Sequence, residues 1–110
     1  MAIPGNWTLH FDWFCTGNYA TTDMTFNADG SWTMSAFGYT GRWSEVSGEF
    51  VFNFSDAPTV YSGNFVVNAA VGAMTTFNAG ETGCWYLLRS GAVAAKKDVP
   101  SYDPAGKRRQ

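Results

Sequence analysis

Apolar and polar residues alternate with a period of two along most of the chain. Over residues 7–15 the odd positions are Trp7, Leu9, Phe11, Trp13 and Cys15, and the even positions are Thr8, His10, Asp12 and Phe14. That period puts one set on each face of a β-strand. The alternation returns in Ala20, Thr22, Met24 and Phe26, and again in Trp32, Met34 and Ala36. Trp43 and Glu45 share a face of a fourth segment. Phe50, Phe52 and Phe54 share a face of a fifth, and Tyr61, Gly63, Phe65 and Val67 of a sixth. Residues 71–77 and 84–89 supply a seventh and an eighth. Turn chemistry separates the segments: Asp29-Gly30, Gly38 and Gly41, Ser47-Gly48, Pro58 and the stretch 78–83. After Gly91 the pattern stops. Residues 92–97 suit a short helical turn, and Pro100 and Pro104 forbid a longer helix.

Short segments at roughly ten-residue spacing, with no helical crossover between them, force antiparallel neighbours. The expected fold is all-β, a small antiparallel up-and-down β-barrel of about eight strands, spanning residues 1–91. Residues 92–110 are expected to form a basic C-terminal tail. A sandwich is the rival architecture, but no link is long enough for a Greek-key crossing. Closure also removes exposed sheet edges. Cys15 ends the first segment and Cys84 begins the eighth, and these are antiparallel neighbours in a closed meander. A disulfide across that seam fits the geometry. Two reduced, buried thiols are the alternative.

Composition narrows the class. The 110 residues fit one domain, and 45% hydrophobic against 15% charged residues provide ample core. No run approaches the roughly 18 apolar residues of a membrane helix, so no membrane association is expected. Residues 1–4 show no basic or apolar export signal, which leaves a cytoplasmic protein or a secreted domain without its leader. The net charge of −2 is unevenly spread. Residues 1–95 carry Arg42 and Arg89 against seven acids, and the remainder carries five bases against Asp98 and Asp103. An acidic body argues against nucleic acid as a partner.

Several fragments resemble the calycins, the avidin-like and lipocalin-like barrels. Gly5-Asn6-Trp7 resembles the Gly-x-Trp that opens their first strand. Ala28-Asp29-Gly30, Thr40-Gly41-Arg42-Trp43, Thr59-Val60-Tyr61-Ser62-Gly63-Asn64 and Leu87-Leu88-Arg89-Ser90-Gly91 look like streptavidin fragments in the same order. The resemblance implies a barrel with a ligand site at one mouth, near Thr59, Tyr61 and Tyr86. It also shows departures. Leu9 and Trp13 stand where avidins place the Asn and Ser groups that hold biotin, and Phe54 stands where they use a Trp. Those departures argue against biotin.

The chain shows no phosphate loop, zinc spacing or nucleophile elbow, so no cofactor, metal or catalytic residue is expected. His10 and Asp12 share a strand face and read as outward polar residues. The inward set is Trp7, Phe11, Trp13, Phe26, Trp32, Trp43, Phe50, Phe52, Phe54, Tyr61, Phe65, Phe77 and either Trp85 or Tyr86. An eight-strand barrel is either just filled by its side chains or holds one small ligand. These rings are therefore a packed core or the walls of a pocket. For a pocket, the candidate binding residues are Trp13, Trp32, Tyr39, Arg42, Trp43, Phe54, Thr59, Tyr61, Asn64, Tyr86 and Arg89. The expected partner is a small hydrophobic or aromatic ligand. A protein-binding module of the protease-inhibitor or immunity type is the alternative, and a barrel cyclase or isomerase ranks below it. Outward Phe14, Phe37, Val46, Val51, Val60 and Val66 would suit a homo-oligomer if they formed one patch.

Overall fold

The computed structural model describes residues 3–77, 80–89 and 102–107. Eight antiparallel strands run in chain order: β1 (Gly5–Trp13), β2 (Ala20–Phe26), β3 (Ser31–Met34), β4 (Tyr39–Val46), β5 (Glu49–Phe54), β6 (Thr59–Val66), β7 (Ala69–Thr76) and β8 (Thr82–Arg89). Each pairs with the next, and β1 also pairs with β8, so the sheet closes into an up-and-down barrel. The expected fold class is the observed one. Several strands end earlier than their alternation suggests, β3 and β1 among them. In β3, Phe37 and Gly38 donate backbone N–H groups back to the Met34 carbonyl, which folds residues 35–38 into a turn and takes Ala36 out of the sheet. In β1, Phe14 and Cys15 adopt φ of 71° and 51°, so both belong to the turn that follows.

The inward faces build one aromatic core. Trp7, Phe11, Phe26, Trp32, Phe50, Phe52, Tyr61 and Trp85 are all essentially inaccessible to solvent. Phe52 stacks on Tyr61 at 4.6 Å, and Trp85 meets Phe52 and Tyr61 edge-on or tilted at 5.6 and 5.8 Å. Such geometries suit the ring quadrupoles. One row of the barrel explains how so many rings fit. Phe50 pairs with Gly63, Gly63 with Gly72, and Gly72 with Trp85. A β-carbon on Gly63 would stand 2.0 Å from the Val71 carbonyl oxygen, and one on Gly72 1.9 Å from that of Ser62. The two strands therefore approach closely, and Phe50 and Trp85 flank the glycine pair.

Of the paired alternatives on β8, Trp85 points in and Tyr86 points out. Phe77 is a correction to the inward set. It is 71% exposed: Ala70, Met74 and Thr76 are the buried positions of β7, so Phe77 falls on the outward parity with Val71 and lies just past the strand's end. His10 and Asp12 face outward as expected, yet both are buried. The His10 ring lies flat on Tyr86 at 4.1 Å, and burial holds its pKa below the usual imidazole value. The Asp12 carboxylate accepts from Thr16 N, Thr16 Oγ1 and Gly17 N, so it organises the turn after β1.

The two barrel ends differ. At the first, Ile3 is buried, Trp7 Nε1 donates to the Ile3 carbonyl, and the Arg89 guanidinium lies 4.1 Å above the Trp7 ring. At the second, Cys15 and Cys84 form a disulfide with a Cα–Cα distance of 5.3 Å. It clasps the β1–β8 seam, which settles the choice between disulfide and free thiols.

Candidate mouth site

The second end is an aromatic mouth with a ring of hydrogen-bond donors. Trp13 comes from the end of β1, Tyr39 from the start of β4, Phe54 from the end of β5, and Thr59 and Tyr61 from the start of β6. Phe54 ties the wall together, with centroid distances of 5.4 Å to Tyr39, 5.7 Å to Tyr61 and 4.8 Å to Trp32. Phe54, Thr59 and Tyr61 alternate with outward residues, so their direction follows from strand periodicity.

Residues 102–107 occupy this mouth. Four donors from the barrel converge on them. Trp13 Nε1 donates to the Asp103 carbonyl at 2.9 Å, and Tyr39 Oη to Asp103 Oδ2 at 2.7 Å. Tyr61 Oη donates to the Pro104 carbonyl at 2.5 Å, and Thr59 Oγ1 to the Ala105 carbonyl at 2.6 Å. Pro104 and Ala105 are buried against the rim. Tyr102 packs edge-on against Phe14, and Lys107 Nζ lies 5.7 Å over the Tyr39 ring. The segment also folds on itself. Asp103 Oδ1 accepts from Ala105 N and Lys107 N, Gly106 N donates to the Asp103 carbonyl, and Asp103 N donates to that of Lys107.

The tryptophans show what is special about this end. All five indole N–H groups donate to backbone carbonyls. Trp32, Trp43 and Trp85 find theirs within the barrel, at Asn53, Asn27 and Ala73. Trp13 alone turns to the tail, with Tyr39, Thr59 and Tyr61 beside it. An empty mouth would leave these donors without those acceptors, and an unmet buried donor costs about 1–3 kcal/mol. Burial, with the Asp103 carboxylate nearby, raises the pKa of both Tyr39 and Tyr61. Both phenols therefore stay protonated as donors well beyond the usual tyrosine range.

The structure brings Trp13, Tyr39, Phe54, Thr59 and Tyr61 together, with Trp32 packed behind Phe54. It does not bring the remaining candidates to them. Arg42 is exposed and donates to the Asp29 carbonyl, bracing the turn between β2 and β3. Trp43 packs on Phe26 towards the first end. Arg89 also lies there, donating to Asn68 Oδ1 as well as covering Trp7. Asn64 and Tyr86 line an apolar groove of about 170 Å³ on the outer wall, with Val66, Val71 and Leu88.

The expected tail begins at residue 92. Residues 90–101 lie outside the described residues, including the helical turn expected over 92–97. Sequence reasoning missed Asp103, Pro104, Ala105 and Gly106 as residues of the mouth. Their signal was present, because Asp-Pro-Ala-Gly is a turn sequence with a side-chain cap. Pro104 had been used only to exclude a helix. No protein-family model matches the chain, and no curated protein matches it either. What the fold and the mouth define is a class: a closed eight-strand antiparallel barrel with a buried aromatic cluster and one donor-lined end.

Proposed function

We propose that the protein is a binding barrel whose mouth takes one small ligand with an apolar or aromatic body and several oxygen acceptors. One observation carries this reading: four protein donors from three strands converge on one compact, acceptor-rich occupant. Aromatic walls and a few placed polar groups are the usual makeup of a ligand site. The middle of the barrel is filled by rings, so the ligand seats at the rim and not along the axis. It takes the place of residues 102–107.

Tryptophan fluorescence tests this, because Trp13 forms part of the wall. The full chain and its Asp103→Ala variant are titrated with a panel of small aromatic and aliphatic carboxylates. The variant loses the Tyr39 contact and the cap of the turn, so its tail competes less well. Saturable quenching is expected, with affinity about tenfold tighter in the variant, the equivalent of about 1.4 kcal/mol of lost competition. Absence of saturable quenching in both proteins sinks the proposal.

A further inference from the structure

We infer that the mouth recognises an aspartyl turn of sequence Asp-Pro-Ala-Gly on a polypeptide, and that Asp103–Gly106 fills it in cis as a tethered competitor. The inference rests on the mouth being a binding site and names the ligand it suits. Each position of the turn meets a specific demand. The Asp103 carboxylate divides its oxygens: Oδ2 accepts from Tyr39 Oη of the barrel, and Oδ1 caps the turn through Ala105 N and Lys107 N. An Asn there keeps one acceptor oxygen but loses the charge that strengthens these bonds. Pro104 has no N–H to satisfy in a buried place, and its carbonyl meets Tyr61 Oη. Ala105 is 2% exposed, which leaves little room for a larger side chain.

Gly106 is the sharpest determinant. Its φ is +86°, a region L side chains rarely adopt. A β-carbon there would stand 2.9 Å from Thr76 Cγ2 and 3.0 Å from Trp13 Cζ2. The turn is also closed by its own bonds, from Asp103 N to the Lys107 carbonyl and from Gly106 N to the Asp103 carbonyl. A ligand that arrives already folded loses less entropy on binding. Asp103–Gly106 is thus closed by its own bonds and met by side-chain donors of the barrel.

The probe is a fluorescein-labelled peptide with the sequence of residues 101–108. Its receptor is the full chain carrying Asp103→Ala and Gly106→Val, which weaken the tethered turn and leave the mouth intact. Fluorescence anisotropy is expected to show saturable binding to this variant. Binding should be at least about 100-fold weaker to the unmodified chain, where the mouth is already filled in cis. Peptides carrying the Asp→Asn or Gly→Val change should each bind at least about tenfold more weakly. A folded variant that ignores the peptide, or that binds the changed peptides equally well, overturns the inference. If the variant does not fold, a site-specific protease sequence is placed between Ser90 and Ser101 of the otherwise unmodified chain and cut after folding. Native mass spectrometry then follows exchange of the C-terminal fragment for the peptide. Exchange supports the inference, and a fragment that never exchanges refutes it. Uptake of a small carboxylate without the peptide leaves the binding mouth standing and removes the peptide assignment. Uptake of neither removes both.

Discussion

His10 is a buried titratable side chain on the outer wall, packed flat on Tyr86, with its pKa lowered by burial. In the unfolded chain it titrates near 6.5. As pH falls through that value the unfolded state takes up a proton that the folded state resists. The unfolded state then binds more protons, so stability falls with pH. We expect urea midpoints to drop as pH decreases below 6.5. His10→Gln should remove that part of the slope, since glutamine does not titrate. An unchanged slope in the variant would show that other groups carry it. Gly106 makes a second residue-scale case. Its positive φ and its tight contacts with Thr76 and Trp13 predict that Gly106→Ala lowers stability by about 1–3 kcal/mol, read from the thermal midpoint. A midpoint equal to that of the parent would mean that the turn does not contribute to the folded state.

At the scale of the strands, the β1–β8 seam and the β6–β7 close approach carry the strongest expectations. The Cys15–Cys84 disulfide spans a sequence separation of 69. In the chain-entropy description, closing a loop of that length adds about 4 kcal/mol. Replacing both cysteines with serine should lower stability by up to about that amount, measured by chemical denaturation under conditions that leave the parent oxidised. Loss of less than about 1 kcal/mol would mean that the reduced chain is already ordered across the seam. Gly63→Ala is expected to be worse per atom added, because its methyl meets the Val71 carbonyl at 2.0 Å with no flexible neighbour to give way. These strands were largely legible in the sequence because the period-two alternation is local. Strand order followed from short links, and the seam followed from where two cysteines fall in a closed meander. The glycine pairing was not legible, since it depends on register: Gly63 faces Gly72 only once β6 and β7 are aligned. Phe77 was misread for a related reason. Residues 71–77 hold few large apolar side chains to fix their parity, and once Gly72 is aligned opposite Gly63, Met74 and Thr76 face inward and Phe77 outward.

For the molecule as a whole, the site was legible only in part. Trp13, Phe54 and Tyr61 were found because strand parity puts them inside, Thr59 because the calycin resemblance points to it, and Tyr39 as a candidate polar group. The occupant was not found. Its pairing with the mouth brings together Trp13 and Asp103, which are 90 residues apart, and no periodicity reports a contact of that range. Charge misdirected the reading further. Five bases marked the stretch as a basic tail, yet its buried part is the apolar pair Pro104 and Ala105 beside a half-buried Asp103. That burial has a consequence at high pH. Tyr39 and Tyr61 keep their protons well above the usual 10.0, whereas the unfolded chain ionises near that value. Above it the unfolded state binds fewer protons than the folded state, so stability falls as pH rises. The mouth therefore loosens in alkali through its two phenols, and Tyr19, which packs on Tyr86 outside the mouth, shifts stability in the same direction. The double variant Tyr39→Phe, Tyr61→Phe should start lower at neutral pH, by about 1–3 kcal/mol for two lost hydrogen bonds. It should then decline more gently above pH 10.0 than the parent does. Urea denaturation across that range reads both effects in one series. Parallel declines in the two proteins would mean that the phenols are not held in the mouth by Asp103 and Pro104.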